Sequence, residues 1–204
     1  FNDKEPEILE WLDENLRDGD VFFDVGANVG LYSIYAALRN KKAAVYAFEP
    51  EYSNLHQLKL NIINNNLCEN VIPFGIALGD QAGLSYLHIH DLTAGAALAT
   101  ESNDTINKSF GKDVIWKEGI GTINLDFLFE KFGIQPNLIK IDVDGNEYKI
   151  LQGGIKTFET TELRSIYIEM IESLPNYVPI KNFLLEHGFK LQFKSSDNQV
   201  WSRL

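Results

Sequence analysis

The chain has 204 residues, 45% of them hydrophobic and 23% charged, which fits one soluble globular domain and excludes a disordered chain. Its formal net charge of -11 argues against nucleic acid or an anionic membrane surface as a partner. One cysteine, Cys68, excludes an internal disulfide and fits a reducing, cytoplasmic setting, and no apolar run reaches the roughly 20 residues that a bilayer span needs.

The first residue is Phe1, which leaves open a preceding segment. Ile8, Leu9, Leu12 and Leu16 form an apolar stripe, with Pro6 near its start, so a helix leads the chain. Val21 to Val25 reads as a buried strand between Gly19 and Gly26, and Leu31, Ile34, Tyr35 and Leu38 give the next helix. Ala44 to Phe48 is a second strand; Leu55, Leu58 and Ile62 mark a second such helix, ended by Asn64-Asn65-Asn66. Val71 to Leu78 reads as one strand, turned by Gly79-Asp80, and Leu84 to His90 alternates like an antiparallel strand. Between Leu92 and Gly121 the pattern weakens into small and polar residues, which suggests a substrate-side insertion at 92–121. Helix spacing returns at Leu125, Leu128, Phe129 and Phe132, followed by a strand from Leu138 to Asp142 and a helix through Tyr148, Leu151, Ile155 and Phe158. Ser165 to Glu169 is a strand, Ile180, Phe183 and Leu184 lie on a helix, and Phe189 to Phe193 with Gln199 to Ser202 make a closing hairpin. This alternation predicts a single doubly wound α/β domain over 1–204, a mostly parallel sheet with helices on both faces. Ligands then bind beyond the carboxyl ends of the strands, where strand order reverses.

Chemistry concentrates at those ends. Asp24-Val25-Gly26-Ala27-Asn28-Val29-Gly30 follows a predicted strand and opens a predicted helix. Gly26 permits a tight turn and Gly30 a close packing of the elements. Glu49, followed by the strand-stopping Pro50, ends the next strand, where a carboxylate can accept hydrogen bonds from both hydroxyls of a ribose. Nicotinamide sites favour glycine at the middle of such a loop, where the backbone meets a pyrophosphate, yet Asn28 stands there. The loop therefore favours an adenosine ligand without a pyrophosphate, such as S-adenosylmethionine (SAM). A nicotinamide-dependent oxidoreductase and a non-catalytic SAM-binding module are the alternative readings.

The motifs together resemble those of the FkbM family of SAM-dependent methyltransferases. They are the loop from Asp24 to Gly30, Phe48-Glu49-Pro50, Ala77-Leu78-Gly79-Asp80, the run from Ile139 to Glu147, Leu151 with Gly153-Gly154, and the strand ending in Glu169. The resemblance implies a seven-stranded Rossmann-like methyltransferase sheet with one antiparallel strand near its end. It implies O-methylation of a hydroxyl on a sugar, glycan or other small molecule. Asp24, Gly26, Asn28 and Gly30 would lie around the methionine part of SAM, Glu49 would hold the ribose, Ala77 and Asp80 would flank the adenine, and Asp142 would stand near the reactive methyl. The family usually carries Glu where this chain has Asp144.

A hydroxyl acceptor must lose a proton, so a general base helps. Asp142, His88, His90 and Glu169 are the candidates, with Asp142 preferred for its place at a strand end. An acidic rim of Asp24, Asp142 and Asp144 would favour a sulfonium cation, although carboxylates at Asp142 and Asp144 also suit a helix N-terminus. His88 and His90 share a strand face, either as half of a metal site or as a polar sheet surface. Asp142, Asp144, Glu147 and Glu169 offer the oxygen ligands that Mg2+ takes, but nothing in the sequence requires a metal. Trp116, Tyr86 and Tyr177 are either a stacking surface for a sugar or core aromatics.

Overall fold

The computed structural model describes residues 5–89, 99–101 and 114–203. Helix α1 (Pro6–Asn15) starts on a proline, whose missing N–H costs nothing at that position. The chain continues through β1 (Val21–Val25), α2 (Leu31–Arg39), β2 (Ala44–Phe48), α3 (Tyr52–Asn64), β3 (Val71–Phe74), β4 (Ala77–Leu78), β5 (Gly83–Ile89), β6 (Ala99–Glu101) and β7 (Trp116–Ile123). Then come α4 (Leu125–Phe132), β8 (Leu138–Ile141), α5 (Glu147–Gln152), α6 (Ile155–Glu159), β9 (Ser165–Glu169), α7 (Tyr177–Glu186), β10 (Lys190–Ser195) and β11 (Asn198–Ser202). Side-chain caps fix two of the helix starts. Glu51 accepts from the amides of Ser53 and Asn54 at α3, and Asn124 from that of Phe127 at α4.

The main sheet has seven strands in the order β10-β11-β9-β8-β1-β2-β3. From β9 to β3 all pairings are parallel, and β11 runs antiparallel to both β9 and β10. The predicted doubly wound, mostly parallel sheet with an antiparallel strand near one end is therefore present. Alternation along the strands divides the core. Phe23, Val25, Ile139, Ile141, Ile166 and Ile168 pack against α4 to α7. On the other face, Phe22, Val45, Ala47, Leu138 and Tyr167 pack against α1 to α3. Each of the larger of these side chains, from valine up, contributes roughly 2 kcal/mol by leaving water. Chain order reverses between β1 and β8, so the crevice at their carboxyl ends is the expected ligand site.

Three expectations are corrected. The single strand from Val71 to Leu78 is two: β3 pairs with β2, whereas β4 joins β7 in a separate four-stranded sheet ordered β4-β7-β5-β6. The bend falls at Gly75-Ile76, after Pro73, whose lack of an N–H suits an edge strand. The weakly patterned stretch up to Gly121 contains most of β7, which pairs antiparallel with the whole of β5. Gly119 and Gly121 interrupt its alternation and hide it from a periodicity reading. The helix through Tyr148 to Phe158 is broken at Gly153-Gly154, where the backbone leaves helical geometry (φ -126°, ψ 22° at Gly154), and Gly153 must stay glycine because a Cβ there would stand 2.1 Å from the Gly79 carbonyl oxygen. His90 and most of the predicted insertion lie outside the described residues. No helix among the described residues is long and apolar enough to cross a membrane.

Candidate active site at the β1–β8 crevice

The loop after β1 turns on three left-handed residues: Gly26 at φ 74°, Asn28 at φ 52° and Gly30 at φ 87°. A Cβ on Gly26 would lie 1.9 Å from the Asp142 carbonyl oxygen, and one on Gly30 would lie 2.2 Å from the Leu58 side chain. Glycine is thus demanded by the protein's own packing, at the β8 end and against α3.

Every backbone N–H from Gly26 to Gly30 is committed within the chain. Those of Gly26 and Ala27 donate to the Phe48 carbonyl, each at 3.0 Å, and that of Gly30 to Ala27 at 2.8 Å. The Asn28 N–H donates to Glu49 Oε2 at 2.8 Å, and the Val29 N–H to the Asn28 side chain at 2.7 Å. Glu49 Oε1 accepts from the Glu51 N–H at 2.9 Å. Each Glu49 oxygen has thereby filled one acceptor position and keeps another. Burial pushes the Glu49 carboxyl up to about 7, against the lowering effect of those amides.

Beneath the loop lies a buried charge cluster. Asp24 is fully buried, and its Oδ2 accepts from Ser33 Oγ at 2.6 Å. Beside it in register on β8 is Lys140, also buried. Lys140 Nζ donates to the Gly26 carbonyl at 2.8 Å and stands 3.4 Å from Asp24 Oδ1 and 3.6 Å from Asp142 Oδ2. Burial acts to lower the lysine's pKa, but Asp24 and Asp142 together hold it above the usual value. Lys140 is the residue that motif reading missed. The signal was a charged side chain inside the four-residue apolar strand Leu138-Ile139-Lys140-Ile141.

Further along the crevice, Asp142 follows β8 and Glu169 ends β9, the neighbouring strand. Partial burial, then the charges of Asp142, Glu147, Asp144 and Asp197, push Glu169 up to about 8. Glu147 is buried and accepts from the amides of Gly145 at 3.0 Å and Val143 at 3.3 Å, so it braces the turn after β8. Burial pushes it up to about 7. Asp144 sits in that turn at φ 54°. Among the described residues, no group of three or more His, Cys, Asp or Glu side chains converges as metal ligands.

The structure thus joins Asp24, Gly26, Asn28, Gly30, Glu49 and Asp142 in one network, with Pro50 directly after Glu49 and Glu169 on the adjacent strand. Ala77 is buried in β4 and pairs with Thr122. Asp80 is exposed beyond it, its carbonyl held by the Asn124 side chain at 3.3 Å. His88 lies on β5 of the small sheet, whereas Asp142 and Glu169 stand at the ends of parallel strands of the main sheet. Tyr86 shares His88's face of that sheet, Trp116 takes the opposite face opposite Ile89, and Tyr177 begins α7, so the three aromatics form no common surface.

The model of a family described as the methyltransferase FkbM domain matches residues 24–191. The chain is 28% identical over 171 residues to the hexuronic acid methyltransferase AglP of Haloferax volcanii, a match over 82% of this chain and 62% of that protein. The chain thus spans less than two thirds of that relative's length. It is also 28% identical over 195 residues to the 31-O-demethyl-FK506 methyltransferase FkbM of Streptomyces tacrolimicus, over 85% of this chain and 74% of that one. Among solved structures, an rRNA methylase from Streptococcus thermophilus superposes with a TM-score of 0.58 at 11% identity, covering 97% of this chain and 95% of that chain. At that identity the likeness shows the fold, a class I methyltransferase sheet.

Proposed function

We propose that this chain, which belongs to the FkbM methyltransferase family, transfers a methyl group from SAM to a hydroxyl oxygen of a sugar, glycan or other small molecule. The observation that carries the reading is the loop's fully committed set of amides from Gly26 to Gly30. A dinucleotide site needs free loop N–H groups to cradle a pyrophosphate. This loop offers none and is flanked by carboxylates, an environment suited to a cationic sulfonium. Asp24, Gly26, Asn28 and Gly30 would surround the methionine part. The two open acceptor positions on Glu49 match the two hydroxyls of a ribose, and Ala77 and Asp80 would flank the adenine. The two named relatives act on a hexuronic acid and on a demethylated FK506 hydroxyl, which supports a small-molecule or glycan acceptor.

When bound, SAM supplies an electrophilic methyl group; the acceptor oxygen takes it, losing a proton, and S-adenosylhomocysteine is released. We assign Asp142 to orient the hydroxyl, since it stands at the strand end but is already paired with Lys140. We assign Glu169, at the end of the neighbouring strand β9, as the proton acceptor: held near 8, it is a stronger base than an ordinary carboxylate and still partly ionised at neutral pH. Holding oxygen opposite sulfur is the larger part of the task.

Calorimetry with SAM and S-adenosylhomocysteine, then transfer of labelled methyl from SAM to a panel of uronic acids and macrolide alcohols, tests the proposal. Binding of both ligands with label in a small-molecule fraction is expected. Absence of heat with either ligand on folded protein would overturn it; binding without transfer to any acceptor, including those in a cell lysate, would make the chain a SAM-binding module.

A further inference from the structure

Lys140 is costly to bury. A lysine inside a four-residue buried strand is tolerated only when paired and hydrogen-bonded. Its partners are specific: the Gly26 carbonyl of the loop at 2.8 Å, Asp24 at 3.4 Å and Asp142 at 3.6 Å. Ser33 accounts for one Asp24 oxygen, and Lys140 is the cation beside the other. Two carboxylates and one ammonium leave this trio with one negative charge. Without Lys140 it would hold two.

That difference matters for a ligand whose charge disappears during the reaction. A sulfonium donor carries one positive charge that its thioether product lacks, and the two otherwise differ by a methyl group. Negative charge at the site therefore favours the donor over the product. In excess it would also hold the charged ground state more tightly than a transition state in which that charge is dispersing, and so slow transfer.

We infer that Lys140 is a specificity-determining residue of the donor site: by cancelling one of the two carboxylate charges beside it, it sets how strongly the site prefers the sulfonium donor to its neutral product. The inference rests on the reading of the crevice as a SAM site.

The test is the ratio of SAM to S-adenosylhomocysteine affinity, measured by calorimetry across a charge cycle. Lys140→Met takes the trio from one negative charge to two and should shift the ratio toward SAM on the order of tenfold, the scale of one partly screened charge at close range. Asp24→Asn keeps the shape and the Ser33 contact, brings the trio to zero and should shift the ratio toward S-adenosylhomocysteine by a similar factor. Asp24→Asn with Lys140→Met restores one negative charge and should return the ratio to near that of the unaltered protein. A lysine that only held the loop together would weaken both ligands equally and leave the ratio still. If Lys140→Met does not fold, the other two variants decide. An equal ratio in Asp24→Asn and the unaltered protein, or a double variant that tracks Asp24→Asn, would overturn the inference. Failure of the unaltered protein to bind either ligand would instead remove the SAM reading beneath it.

Discussion

At the crevice between β1 and β8, each loop amide from Gly26 to Gly30 has a partner, and Asp24, Lys140, Glu49 and Glu147 are buried within hydrogen-bonded networks. The four-stranded sheet is built otherwise. Its core is Ala77, Leu87, Ile89 and Ile120, while Leu84 is 92% exposed and Tyr86 55%. One region is over-determined by its own packing, so a single atom has nowhere to go. The other can change its outward residues at little cost to the fold. A common donor site beside a variable acceptor surface is what such a division would serve.

The sharpest way to break the comparison is a glycine pair. Gly26→Val forces a Cβ to within 1.9 Å of the Asp142 carbonyl oxygen at φ 74°. The expected loss is about 3 kcal/mol or more of stability, together with SAM binding, because strain and overpacking act on one residue. Gly83→Val, where an added Cβ meets nothing within 4 Å and the backbone is not left-handed, should stay within about 0.5 kcal/mol. Thermal unfolding of the two variants is the measurement, and similar losses in both would erase the contrast.

Next in size is Glu49, the carboxylate proposed to hold the ribose. Glu49→Ala removes two amide partners and both open acceptor positions. It should weaken SAM and S-adenosylhomocysteine alike by about 2 kcal/mol, from lost charge-assisted hydrogen bonds. Unchanged affinity in calorimetry would contradict the ribose assignment.

The buried glutamates also make the crevice sensitive to pH. Burial raises Glu49 and Glu147 to about 7, and burial with neighbouring carboxylates raises Glu169 to about 8, from an ordinary 4.5. Between those values the folded state holds protons that the unfolded chain has released, so stability falls as pH rises from about 5 to about 8. The thermal midpoint should decline across that window and decline less in Glu147→Gln. In turnover the same titration has the opposite sign. The rate should climb as Glu169 ionises toward pH 8, and Glu169→Gln should lower the rate and remove that limb. A limb that survived in Glu169→Gln but vanished in His88→Ala would move the base to the small sheet.

The contrast between the regions also explains what the sequence made legible. Positive φ and close approach demand particular residues, so Gly26, Gly30 and the strand-ending Glu49 announced the crevice directly. The reason given for Gly26 was incomplete: the space it leaves is filled by the chain's own β8 end, before any ligand is considered. Lys140 went unread because periodicity treats a charge in a short apolar strand as noise, and only the register with Asp24 reveals its partner. On the small sheet β7 went unread because Gly119 and Gly121 carry no side chain to mark an inward or outward face. The break at Gly153-Gly154 went unread because the apolar spacing from Tyr148 to Phe158 runs on through it, although a Gly-Gly pair is itself a breaker.

The smallest expected effect falls on the outward face of β5. Leu84, Tyr86 and His88 alternate with inward residues of that strand, and Lys117 Nζ lies 3.9 Å from the Tyr86 ring centroid. Tyr86→Ala removes a half-exposed ring and one exposed cation–π contact, so stability should change by about 0.5 kcal/mol. Affinity for S-adenosylhomocysteine should stay within about twofold, since among the described residues the bonds of Asp24, Lys140, Glu49 and Glu147 run to the β1 loop, α2, Glu51 and the turn after β8. If this face meets the acceptor, the KM for that acceptor should rise while the SAM KM stays put, because lost ground-state contacts act on the ligand that made them. A fall in S-adenosylhomocysteine affinity comparable to that of Glu49→Ala would show the two regions to be coupled, and the small sheet would then belong to the donor site.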